Sequence, residues 1–157
     1  MCILWIMYRS RWATRHNQKV ILGVWIQRSF FEKILRAAKP TQGSKDHDEQ
    51  ARNTPCRLQW DPDHLPDGSP HVARRAIQIG IKGPLAHEYA SADRSVSPIL
   101  RIVDVTPFAT EQRCVLDGMK RAARAQPANS DLQVARERTY LGLPSALADA
   151  IGVSTGE

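Results

Sequence analysis

Apolar positions along the chain come in short runs, and their spacing predicts alternating strands and helices. Residues 3–12 read as a buried helix or a strand, because periodicity cannot separate the two over so short a run. Residues 19–26 (Lys-Val-Ile-Leu-Gly-Val-Trp-Ile) are rich in β-branched and apolar side chains, as in a central strand. Ser29 is placed to cap a helix through Ala38 that carries Phe30, Phe31, Ile34 and Leu35 on one stripe, with Pro40 just beyond its end. Residues 56–60 suggest a short strand, and the Asp, Pro and Gly of 61–70 are turn chemistry. Alternation around Ile77, Ile79 and Ile81 gives a strand over 73–81, and Gly83-Pro84 opens a short helix to Tyr89. A strand over 99–105 closes at Thr106-Pro107. Residues 108–124 read as a helix with Phe108, Val115, Leu116 and Met119 on one side and Gly118 interrupting it, and a small helix follows at 145–151.

Two stretches break this pattern. Residues 39–55 hold Pro40, Gly43, Ser44, Asp46, Asp48, Asn53 and Pro55 with almost nothing apolar, and 90–98 is a second polar stretch, so both are expected as surface loops. The expected architecture is α+β, a single domain over 1–157 with a mixed sheet of about four strands and flanking helices. A doubly wound α/β order fits less well. No helical pattern separates 56–60 from 74–81, and no G-x-G-x-x-G opens a helix after any strand.

Composition adds class and charge. At 157 residues the chain is long enough for one ordinary domain, and 42% apolar with 24% charged residues is near the globular average. The net charge of +6 is unevenly placed. Residues 1–39 hold eight Lys or Arg (Arg9, Arg11, Arg15, Lys19, Arg28, Lys33, Arg36, Lys39) against Glu32 alone, which makes that segment +7 and leaves the remainder about neutral. Guanidinium groups donate bidentately to phosphate oxygens, so Arg9, Arg11, Arg15 and Lys19 are candidate contacts to a nucleotide or nucleic acid. A solvated basic face is the plain alternative. Cys2, Cys56 and Cys114 are widely spaced and form no C-x-x-C pair, which indicates neither a disulfide framework nor a zinc knuckle. A reducing compartment is expected, intracellular and either cytoplasmic or nuclear. The apolar opening meets Arg9 long before the ~20 residues needed to span a bilayer, so no membrane span is expected.

Three separated strings carry the most specific information: Trp5-Ile6-Met7-Tyr8-Arg9-Ser10-Arg11-Trp12-Ala13-Thr14, then Leu58-Gln59-Trp60-Asp61-Pro62-Asp63-His64, then Arg74-Arg75-Ala76-Ile77-Gln78-Ile79-Gly80-Ile81. In this order they resemble the domain of unknown function 4291 family, whose members read roughly W-M-Y-R-S-G-W-x-T, Q-W-D-P and R-x-I-Q-I-G. The ending Glu137-Arg138-Thr139-Tyr140-Leu141-Gly142-Leu143-Pro144 is similar to the family's E-R-x-Y-x-x-P. Members carry more sequence before the first string, so the resemblance implies that an N-terminal part of the usual domain is absent here. The family also has a glycine where this chain has Arg11, and often one where it has Ala13. If those positions need a positive φ or close approach to a ligand, Arg11 is a strained substitution.

Candidate chemistry follows the same strings. Arg9, Ser10, Trp12, Thr14, Asn17 and Gln18 gather hydrogen-bonding groups beside two indoles, a mix suited to gripping a base or nicotinamide-like ring and its phosphates. The alternative is that the indoles are core and the polar groups make a turn. Gln59, Trp60 and Asp61 end a strand where polar groups can project into a cleft, and Asp61 or Asp63 with His64 could perform acid–base work. The spacing of Asp61, Asp63 and Asp67-Gly68 fails as a calcium loop, because Leu65 replaces an oxygen ligand and Pro62 and Pro66 forbid the geometry. Gln78 is expected on the strand face opposite Ile77 and Ile79, toward the same cleft as Gln59. The other histidines, His16, His47, His71 and His87, have no ligand spacing, and no phosphate loop or nucleophile elbow occurs, so neither metal nor cofactor is implied.

Two functional readings result. One is a domain that binds a nucleotide or nucleic acid in a polar cleft, with an ADP-ribosyltransferase-like site gripping NAD through Arg9 and Ser10 as its enzymatic version; no convincing catalytic Glu accompanies it. The other is a non-catalytic remnant or interaction module.

Overall fold

A computed structural model describes residues 3–41, 53–66, 68–122, 132–138, 140 and 142–153. Along them run α1 (Ile3–Arg9), β1 (Leu22–Ile26), α2 (Arg28–Ala37), β2 (Ala38–Pro40), β3 (Cys56–His64), β4 (Pro70–Ile81), α3 (Pro84–Tyr89), β5 (Ile99–Asp104), α4 (Thr106–Ala122) and α5 (Ser145–Ile151). The class is α+β, as expected. The strands are divided between two sheets, β1-β5 and β2-β3-β4. Gln27 N donates to Pro98 O (2.8 Å) and Val105 N to Ile21 O (2.9 Å), so β1 and β5 run antiparallel.

Polar-loop composition hid β2. Ala38, Lys39 and Pro40 pair in parallel with Cys56, Arg57 and Leu58, where a helix end followed by a loop was expected. The part of the 39–55 loop beyond Thr41 and before Asn53 lies outside the described residues. The turn expected at 61–70 is shorter than its composition suggests. Strand β3 continues to His64, and the reversal is made by Leu65 N donating to Ser69 O (2.8 Å) and Gly68 N to Leu65 O (2.9 Å). So short a connection makes β3 and β4 an antiparallel hairpin.

Within this hairpin twelve residues of β4 follow nine of β3. A bulge takes up part of the excess. The bare Nδ1 of His71 accepts backbone N–H groups from both Ala73 (3.1 Å) and Arg74 (2.9 Å), and Val72 is pushed out to 95% exposure. The inward parity of β3 also changes. Cys56 and Leu58 are buried on even positions, whereas beyond Pro62, which has no N–H for the ladder, the buried position is Asp63.

The chain forms two compact units. One comprises Met1–Gly23, Pro62–Ala76 and Ile102–Glu137, the other Val24–Asp61, Ile77–Arg101 and Arg138–Glu157. The core of the first is Leu4, Met7, Trp12, Ile21, Ala109 and Leu116. Helix α4 meets it along Ala109, Gln112 and Leu116 rather than along Phe108, Val115 and Met119, which are half-buried, and it runs through Gly118 without interruption. Gln112 is buried because its Oε1 accepts Gln133 N (2.7 Å). The second core holds Phe30, Ile34 and Leu35 from α2, Cys56 and Leu58 from β3, Leu85, Leu147 and Ile151, with Ile77, Ile79 and Ile81 packed on it. Helix α2 starts one residue before the expected cap. Gln27 holds the cap position without a side-chain bond.

Candidate functional site

The first family string folds as a helix that ends in an unusual turn. Helix α1 receives a carboxylate at its N-terminus, where Ile3 N donates to Glu137 Oε1. At the other end Ser10 N donates to Ile6 O (2.9 Å), Arg11 N to Tyr8 O (3.1 Å) and Trp12 N to Met7 O (2.6 Å). The last two bonds form a Schellman motif, in which the residue after the cap is left-handed and is usually glycine. Here that residue is Arg11, with φ 51°, and the left-handed conformation continues through Trp12 (55°) and Ala13 (62°). The sequence contains its own comparison: α5 ends in the same two-bond pattern, Gly152 N to Asp149 O (3.1 Å) and Val153 N to Ala148 O (2.9 Å), with Gly152 at the left-handed position.

Side chains hold this turn from within. Ser10 is 1% exposed; its hydroxyl donates to Met7 O (3.2 Å) and accepts from Ala13 N (3.1 Å). Thr14 Oγ1 donates to Arg11 O (2.6 Å), and Arg15 Nη1 reaches Arg9 O (3.4 Å). The division of labour is clear-cut. Ser10 and Trp12 are buried, while Arg9, Arg11, Thr14, Arg15 and Lys19 are exposed. The turn presents its basic side chains to water on a backbone held by hydrogen bonds of its own.

Around Tyr8, which precedes the turn, three rings and the hairpin tip come together. His64 stacks on the Tyr8 ring (centroids 5.1 Å, planes 18° apart), and Trp12 meets it edge-on (5.6 Å, 77°). Tyr8 donates its hydroxyl to Pro66 O (2.7 Å). Gly68 lies so near that a Cβ there would stand 2.7 Å from Tyr8 Cε1, and its φ is 91°. Asp63, next to the stacked His64, is 3% exposed; Oδ1 accepts His64 N (2.7 Å) and Oδ2 pairs with Arg74 Nη2 (3.0 Å). Both oxygens of this carboxylate therefore have structural partners, so it anchors the hairpin. Trp12 Nε1, His64 Nδ1 and Gln18 Oε1 are enclosed and have no hydrogen-bond partner among the described residues. The sequence signal for Tyr8 is its place in the first string, between Met7 and Arg9.

The remaining expected residues belong to the second unit. Gln59 is exposed and its Nε2 donates to Asp61 Oδ1 (2.8 Å), so these two are neighbours on β3. Trp60 is half-buried, with Nε1 donating to Ile151 O (2.7 Å). Gln78 is half-buried on β4 between the core-facing Ile77 and Ile79. Elsewhere in this unit the last family string has a clear partner set. Tyr140 donates its hydroxyl to Glu32 Oε1 (2.9 Å) and accepts from Arg28 Nε (3.0 Å), while Arg28 also reaches Glu32 (3.0 Å). The Tyr140 hydroxyl and then Arg28 hold the Glu32 carboxyl below its usual range; Tyr140 and Glu32 raise Arg28. Among the described residues no three His, Cys, Asp or Glu side chains cluster as a metal site would require, and no helix is long and apolar enough to cross a membrane.

The family model described as Domain of unknown function (DUF4291) matches residues 2–140. The chain belongs to this family. Within DUF4291 terms the match takes in the left-handed turn, both strands of the hairpin and Tyr140. No curated protein matches the chain, and no solved structure does.

Proposed function

We propose that this DUF4291 chain binds nucleic acid through its phosphates, using the exposed basic side chains Arg9, Arg11, Arg15 and Lys19. The observation that carries this reading is the left-handed run Arg11–Trp12–Ala13. A left-handed residue other than glycine costs on the order of 1–2 kcal/mol, and three in succession are rare because such residues normally occur singly. Backbone strain of this kind is concentrated at binding and catalytic sites. Here it supports a display of guanidinium groups on one short segment of the +7 N-terminal part of the chain. Arg suits the task because its fork matches phosphate oxygens and stays charged at every physiological pH. No bond-making step is included, since the hydroxyl of Ser10 is committed inside the turn and Asp63 to the hairpin.

The test is fluorescence anisotropy with a labelled 12-nucleotide single-stranded oligoribonucleotide. Replacing Arg9 and Arg15 together by Ala is expected to weaken binding about tenfold, while circular dichroism shows the fold retained. Unchanged affinity in a folded double variant would contradict the proposal.

A further inference from the structure

We infer that the Tyr8 cluster is a nucleobase site, so that the ligand is a single strand or a nucleotide with an unpaired base rather than a duplex. The inference rests on the phosphate reading above for its choice of a nucleobase among amide-like ligands, and adds to it what the phosphates are attached to.

The starting point is an imbalance. Burying a polar atom without a partner costs about 1–3 kcal/mol, and native proteins leave few of them. Trp12 is 3% exposed, yet its indole N–H has no acceptor among the described residues. Two further enclosed atoms without a partner, His64 Nδ1 and Gln18 Oε1, belong to the same compact unit. Their chemistry is complementary: the indole can only donate, the carboxamide oxygen can only accept, and the imidazole nitrogen can do either according to its tautomer. The rings of Trp12 and His64 both touch Tyr8, so a ligand that reaches these two nitrogens offers an acceptor to the indole and a second polar atom nearby to the imidazole. Every nucleobase has such an edge, amide-like in uracil and guanine and amidine-like in adenine and cytosine.

The rings supply the second requirement. Trp12 and His64 both touch Tyr8, one edge-on at 5.6 Å and the other stacked at 5.1 Å. Aromatic groups of this kind hold unpaired bases by stacking, which is inaccessible to bases within a duplex. Entry is through the turn itself. Trp12 is the middle residue of the left-handed run, so ligand entry requires the hydrogen bonds of the turn to open, which would relieve its backbone strain and expose the indole. The exposed Arg9 and Arg11 precede this residue by three positions and one, and place phosphate contacts on the same segment.

Two measurements decide it. In protein labelled with 15N-tryptophan, uridine and adenosine, which carry no phosphate, are expected to move the assigned Trp12 indole N–H resonance saturably. In anisotropy, a 12-nucleotide oligouridylate is expected to bind at least tenfold more tightly than an abasic strand of equal charge, and Trp12→Phe to reduce it to the abasic level. An unmoved Trp12 resonance with equal binding of the two strands would overturn the base site and leave the phosphate reading standing. Binding of neither strand would overturn both. The nucleoside titration and the abasic comparison use the unmodified protein, so neither depends on how the Trp12→Phe variant folds.

Discussion

At the residue scale the most consequential position is Arg11. Its φ of 51° lies where the resemblance to the family implies a glycine, and α5 of the same chain solves the same geometry with Gly152. Arg11→Gly is therefore expected to raise stability by about 1 kcal/mol, read as a higher urea midpoint with an unchanged slope. A lower midpoint would mean that the Arg11 side chain contributes more than its backbone costs. Gly68 is the opposite case. A methyl group there would meet the Tyr8 ring at 2.7 Å on a backbone with φ 91°, so Gly68→Ala is expected to cost about 2 kcal/mol or more in the same assay. The need for glycine near residue 11 was legible from the family pattern. The need at Gly68 was not, because it comes from a ring sixty residues away in sequence.

Elements were legible where a period repeated and obscure where a tertiary partner decided. The helix over Arg28–Ala37 and the strand bearing Ile77, Ile79 and Ile81 follow from spacing alone. Strand β2 does not. It is three residues long, contains Pro40, and exists because Cys56–Leu58 offers a ladder. The bulge in β4 likewise depends on one imidazole that accepts two backbone N–H groups, and nothing in the apolar pattern marks His71 for that role. The start of α4 gives a pH prediction. The Thr106 hydroxyl, and then the Thr106 backbone N–H that donates to Asp104 Oδ1 at 2.8 Å, hold the Asp104 carboxyl below its usual 3.8. A depressed carboxylate adds stability above the unfolded value and loses it as pH falls through the folded one. Stability should thus decline below about pH 4, and Asp104→Asn should flatten that part of the acid limb.

On β3 the sign is reversed. Burial pushes the Cys56 thiol from 9.0 up to about 11, so its contribution is intact below pH 9 and lost as pH rises toward 11. Cys56→Ala should remove that alkaline decline. In native protein a thiol reagent is expected to modify the exposed Cys114 promptly and Cys56 only at the rate of unfolding. Modification of both at one rate would contradict the burial of Cys56.

For the molecule as a whole, class and family were legible, and the division of the chain into compact units was not. The residues gathered by the sequence as one cleft belong to two compact units, Arg9, Ser10, Trp12 and Thr14 to one and Gln59, Trp60, Asp61 and Gln78 to the other. Single-sequence patterns reveal which residues are polar at element ends; they do not reveal which unit each element joins. Charge, by contrast, needs no fold to be read. The excess of basic residues in positions 1–39 stands in the sequence, and the turn places four of them in solvent.

The most direct test of the account is the salt dependence of single-stranded oligoribonucleotide binding. Four phosphate contacts predict that log K falls against log salt with a slope of about −3, reduced by roughly 0.7 for each Arg replaced. A slope near zero, or one that the Arg9 and Arg15 substitutions leave unchanged, would contradict the assignment of this turn to phosphate binding.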